Sequence, residues 1–155
     1  MSNKAKLFLI DGSAYIFRAY YGIRPLSTST GVPTNAVVGF ARMIARLIKE
    51  QAPEHIAIIF DTKEPNFRHE LFSDYKANRD APPEDLIPQF ALIRQLVEAM
   101  DILDLSMAGY EADDIIGTLA RKAAAENMEA VIVSSDKDLM QLVNDAVTMY
   151  DPMRD

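Results

Sequence analysis

Short runs of β-branched and other apolar residues recur along this chain, and each gives way to a stretch with helical periodicity. KLFLI at 6–10, HIAIIF at 55–60 and AVIVS at 130–134 are too short for buried helices and read as strands covered on both faces. Two shorter strands are expected at 102–105 and 147–150. Helical patterns fill the gaps at 14–21, from about Asn35 to Glu50, from about Pro83 to Met100, from about Glu111 to Asn127, and from Asp138 to Val143. Strands alternating with helices imply an α/β domain over residues 1–155, in which helices cover both faces of a mostly parallel, twisted sheet.

Thr34 stands where an N-cap belongs for the Asn35–Glu50 helix. Val37, Val38, Phe40, Ala41, Ile44, Ala45, Leu47 and Ile48 cover more than half of that helix, so it is expected to be largely buried. Pro53 ends it. A polar, basic-flecked segment at 62–84 is closed by Pro82 and Pro83. His55 opens a strand and reads as a surface or packing residue.

Four acidic clusters punctuate this frame. Asp11, Asp61 and the pair Asp136 and Asp138 follow the three long strands directly, and Glu111, Asp113 and Asp114 open a helix. Ligands of parallel α/β sheets collect outside the carboxyl ends of the strands. Seven carboxylates brought together there need a cation between them. Each cluster also has a plainer reading. Asp-Gly-Ser at 11–13 suits a turn, and Asp61 suits an Asx turn. Acids in a first helical turn complement the dipole, and Asp138 suits an N-cap. The conjunction at one sheet edge carries the metal reading.

The chain has no Cys and two His, so thiolate sites are excluded and oxygen ligands favour magnesium or manganese over zinc. The seven clustered acids account for the whole net charge of −7, which therefore neither excludes nor supports a nucleic-acid partner. No signal peptide or membrane-length apolar run is seen, and the expected location is cytoplasmic.

Within NFRHELFSDYKANR, Arg68, Phe72, Lys76 and Arg79 share one helical face, beside an apolar stripe of Phe67, Leu71 and Tyr75. Such a face can grip a phosphate backbone and stack a base. Glu70 and Asp74 dilute its charge, and a solvated amphipathic helix is the competing reading.

IDGSAYIFRAY, FDT, FRHELFSDYKANR, YEADDIIGTLA and SSDKDLMQLV, in this order from about Leu7 to Asp151, closely resemble the 5′-nuclease domain of bacterial DNA polymerase I. That domain also occurs as stand-alone 5′-3′ exonucleases and is related to flap endonucleases of PIN-like, resolvase-like fold. The resemblance implies that Asp11, Asp61, Glu111, Asp113, Asp114, Asp136 and Asp138 are metal-site acids for two ions, Mg2+ or Mn2+. It places Arg18 near the scissile phosphate, and Tyr75, Lys76 and Arg79 in a helical arch that passes the single-stranded 5′ end. The region of Thr34 and Gly39 resembles the part that meets duplex DNA.

In the family the chain runs on into a glycine–aspartate segment with two further acids and a helix–three-turn–helix element. This sequence stops at MYDPMRD, so it is expected to be an N-terminal fragment, monomeric, with polymerase domains following in its parent. The implied activity is metal-dependent hydrolysis of DNA at a 5′ end or flap, with Lys76 and Arg18 neutralising charge on the phosphate. The alternatives are a non-catalytic metal- or DNA-binding module and a stand-alone exonuclease. A phospho-receiver or a haloacid-dehalogenase-like phosphatase would want a second acid where Ser13 stands. A small RNA-cleaving toxin nuclease would lack the arch-like segment at 66–79.

Overall fold

The computed structural model describes residues 4–62 and 82–153. Five parallel strands form one sheet: β1 (Lys6–Asp11), β2 (His55–Ile59), β3 (Leu103–Leu105), β4 (Glu129–Val133) and β5 (Val147–Tyr150). The helices are α1 (Gly12–Gly22), α2 (Asn35–Gln51), α3 (Ile87–Ala99) and α4 (Ala112–Ala125), with a 3-10 turn at Lys137–Leu142. Strand order is β3-β2-β1-β4-β5. The expected α/β architecture is present. Among the described residues no helix is long and apolar enough to cross a membrane.

The pleat divides the core. Phe8 and Ile10 of β1, Ile58 of β2 and Val131 and Val133 of β4 face one side, where they pack on α1, α2 and α3 through Ile16, Phe40, Ile44, Leu47 and Ile93. The alternate residues Leu9, Ala57, Ile59, Ala130 and Ile132 face the other side, against Ala112, Ile116, Ala120 and Ala123 of α4. This explains why the central strands are apolar at every position. Each fully buried Leu, Ile or Phe contributes on the order of 2 kcal/mol, so the two-sided sheet carries most of the stabilisation.

Local sequence sets the close approaches. A Cβ on Gly12 would lie 2.7 Å from Ile58 Cγ2, so only glycine lets α1 leave β1 against β2. On Gly39 it would lie 2.6 Å from Ala19 Cβ, because α1 and α2 cross there. Two helices close in Schellman turns. Met128 N–H donates to Ala123 O at 2.8 Å with Asn127 at φ 63, and Ile102 N–H donates to Val97 O at 3.2 Å with Asp101 at φ 56.

Several boundaries differ from expectation. The helix expected from Pro83 starts at Ile87, after a turn in which Leu86 N–H donates to Pro83 O. Pro88 supplies no N–H and occupies the first helical turn, where none is needed. Thr34 precedes α2 but makes no side-chain cap bond. Gln89, fully buried on α3, caps the helix instead: its Oε1 accepts from Ala36 N–H at 2.7 Å and Val37 N–H at 3.1 Å, and its Nε2 donates to Asn35 Oδ1 at 2.9 Å. Asn35 passes the connection on, donating to Tyr20 O and Ile23 O. The burial expected for α2 is also narrower: Ala45 and Ile48 are exposed, since no element covers that stripe among the described residues. His55 lies at the exposed start of β2.

Candidate metal centre

β1 and β4 lie side by side, yet the chain leaves β1 towards β2 and reaches β4 only after β3. The crevice at their carboxyl ends is thus the switch point of the sheet, where ligands of such folds settle. Asp11 ends β1 and is 4% exposed. Ser134, the residue after β4, donates its hydroxyl to Asp11 Oδ2 at 2.9 Å. The same Ser134 oxygen accepts Asp136 N–H at 3.0 Å, which turns the chain so that Asp136 faces the crevice. Asp113, in the first turn of α4, completes the group. Oxygens of Asp11, Asp113 and Asp136 all lie within 4.8 Å of one another.

The electrostatics match the geometry. Burial pushes the Asp11 carboxyl up to about 7; the Ser134 bond opposes this, and the Asp113 and Asp61 charges add to it. A carboxylate so placed is ionised at neutral pH only in part, and a cation among the three would hold it ionised. Hard oxygen donors, a partly buried site and the absence of any thiol fit a divalent ion such as magnesium or manganese.

The other expected ligands surround this group and carry structural bonds as well. Asp61 takes Ser13 Oγ as acceptor for its N–H at 2.8 Å, and its Oδ1 accepts Ala112 N–H at 2.7 Å, so it caps α4 from β2. Glu111, 6% exposed, and Asp114 form a reciprocal capping box on the same helix. Asp138 is exposed and does not cap the 3-10 turn. Asp136 does, with Oδ1 accepting Asp138 N–H at 2.9 Å. Asp113, Asp114 and Asp138 line a groove of about 1200 Å³ together with Met107, Tyr110 and Arg121.

Arg18, on α1, ion-pairs through Nη1 with Asp151 Oδ2 at 2.7 Å and donates from Nη2 to Met153 O at 3.0 Å. Arg68, Tyr75, Lys76 and Arg79, and most of the arch-like segment, lie outside the described residues. Sequence reasoning passed over Ser134, Tyr15 and Asp151. Ser134 adjoins a strand already singled out, but its partner is 123 positions away and no local pattern marks the pair.

Residues 6–155 match the family model described as 5′-3′ exonuclease, N-terminal resolvase-like domain. The chain is 50% identical over 163 aligned positions to DNA polymerase I of Rhizobium leguminosarum, covering 100% of this chain and 16% of that protein. It is 40% identical over 149 residues to a 5′-3′ exonuclease of Aquifex aeolicus, covering 96% of this chain and 52% of the relative. The flap endonuclease of bacteriophage T5, solved with DNA and metal ions, superposes with a TM-score of 0.69 at 21% identity, over 94% of this chain and 54% of that one. At that identity the likeness speaks to the fold. The chain spans about a sixth of the polymerase and about half of the stand-alone exonuclease.

Proposed function

The chain belongs to the family of 5′-3′ exonuclease N-terminal, resolvase-like domains, and from that membership we propose that it hydrolyses DNA phosphodiesters at a 5′ end or flap with divalent metal ions. The observation that carries the reading is the meeting of Asp11, Asp113 and Asp136 at the switch point. Many unrelated chemistries use such folds, but three carboxylate oxygens within 4.8 Å of one another favour metal-assisted hydrolysis.

The roles follow from placement. Asp11, Asp113 and Asp136 would hold the first ion, with Asp61, Glu111, Asp114 and Asp138 around them as the acids of a two-ion site. Bound divalent ions supply Lewis acidity that activates water and offsets charge on the phosphate. Ser134 fixes the Asp11 carboxylate and the turn bearing Asp136 through one hydroxyl. Asp61 holds the start of α4, and with it Asp113, against the end of β2. Arg18 would meet the phosphate at the mouth of the crevice. Lys76, with Arg68, Tyr75 and Arg79, would guide the 5′ strand across it from the arch-like segment at about 62–84. Magnesium is the ion proposed, the working form is a monomer followed by polymerase domains, and the setting is replication and repair of DNA in the cytoplasm.

Cleavage of a labelled 5′-flap substrate with magnesium tests this. Asp136→Ala is expected to lose about 100-fold or more in kcat, the scale of removing one electrostatic stabiliser. Undiminished cleavage by Asp136→Ala would refute the assignment. A second reading, a metal- or DNA-binding domain without turnover, draws on the helix-end bonds that Asp61, Glu111 and Asp114 already make. Magnesium-dependent nicking by the 155-residue chain, abolished by chelator, eliminates it.

A further inference from the structure

The proposed reaction leaves one polar cluster unexplained. Tyr15 on α1 is 2% exposed and donates its hydroxyl to Asp151 Oδ1 at 2.8 Å. Asp151 Oδ2 takes the Arg18 guanidinium at 2.7 Å, and Met153 N–H donates back to Asp151 Oδ1 at 3.0 Å. The Asp151 side chain is 12% exposed, whereas that of Arg18 is 35% exposed. One carboxylate therefore fixes a buried phenol, a cation still open to solvent, and the turn through Pro152.

The sheet register places this cluster beside the metal centre. Tyr150 pairs with Val133 at the end of β5, and Ser134 N–H donates to Tyr150 O at 3.1 Å. Asp151 is the next residue, so it leaves the sheet beside Ser134, whose hydroxyl holds Asp11. Arg18 lies on α1, which begins directly after Asp11, and meets Asp151 where that residue leaves β5. Two of the five N–H groups of its guanidinium are committed, to Asp151 and to Met153 O. The rest belong to a side chain with open solvent on one side. Without the carboxylate a long, rotamer-rich Arg has many orientations.

We infer that Asp151 is a positioning residue: together with Tyr15 it holds the Arg18 guanidinium at the mouth of the Asp11–Asp113–Asp136 crevice, ready for one non-bridging phosphate oxygen. This rests on the nuclease reading above. It also sets that reading apart from a purely structural tie between β5 and α1. Removing one partner of a partly buried ion pair destabilises the fold, so a tie alone would register in unfolding and not in turnover.

The test uses the polypeptide as its gene encodes it, with flap substrate and magnesium. Asp151→Asn, which keeps size and removes charge, is expected to lower kcat about 10-fold, within the range of a misplaced positioning group, with KM changed less than about twofold. In an Arg18→Ala background the same change is expected to cost nothing further, since the group it positions is gone. Tyr15→Phe leaves the ion pair intact and is expected to lose less. Asp151→Glu is expected to recover part of kcat. An equal proportional loss with and without Arg18, wild-type kcat in Asp151→Asn, or full activity in Arg18→Ala each overturns the inference. These results are separable from failure of the nuclease reading, which shows instead as no magnesium-dependent cleavage by the wild type or as undiminished cleavage by Asp136→Ala.

Discussion

Asp11→Asn is expected to stabilise the metal-free protein and to weaken its response to metal. The carboxyl is held at about 7 against an ordinary value of 3.8, chiefly by burial. The folded state therefore keeps its proton over a range in which the unfolded chain has lost it. With more protons bound when folded, stability falls as pH rises through that window. The shift of about three pH units corresponds to about 4 kcal/mol at 1.36 kcal/mol per unit, an upper bound. Asn keeps an oxygen to accept the Ser134 hydroxyl, so the comparison isolates the charge. In chelator, urea unfolding is expected to show almost no difference near pH 4. An advantage for Asp11→Asn grows between pH 4 and 7, then holds level to pH 8. Added magnesium narrows the gap at pH 8, since an ion at 100 times its Kd contributes about 2.7 kcal/mol to the protein that binds it, against the upper bound of about 4 kcal/mol. A gap independent of pH, or a wild type more stable than Asp11→Asn in chelator at pH 8, refutes the reasoning.

Two further substitutions probe the scaffold. Gln89→Leu removes the buried acceptor of Ala36 N–H and Val37 N–H and is expected to cost about 3 kcal/mol, read as a lower urea midpoint with unchanged slope. Ala52 ends α2 in left-handed backbone at φ 44, with its N–H bonded to Ile48 O. Ala52→Gly relieves that conformation and is expected to add about 1 kcal/mol, seen as a rise in Tm.

What the sequence disclosed and what it hid divide along physical lines. Strand runs such as HIAIIF and the acids that follow them were legible because pleat alternation and the carboxyl-edge rule are local or topological. The start of α3 was placed four residues early because Pro83 and Pro88 each suit a first helical turn, and packing chose the second. The cap of α2 was assigned to Thr34 because capping preferences describe neighbours in sequence, whereas Gln89 arrives from 53 positions away. The plainer alternative for Asp138, a cap, fails for the same reason, and Asp136 takes the position where Ser134 turns the chain. Asp61, Glu111 and Asp114 each make a helix-end bond near the Asp11–Asp113–Asp136 group, and that capping role is compatible with the metal role proposed for them. Asp151 went unnoticed because a single acid after a short strand has no periodicity, and its meaning comes from Tyr15, 136 positions earlier.

The strand order has a kinetic corollary. β1 emerges first and occupies the middle of the sheet, but its second neighbour is β4, whose pairing begins at Glu129. Until that late segment docks, the first strand has a bare flank, and contacts of such long sequence separation slow folding. Cation affinity at the proposed site would accordingly arise late, so binding of manganese to a refolding chain would clock the docking of β4 against β1.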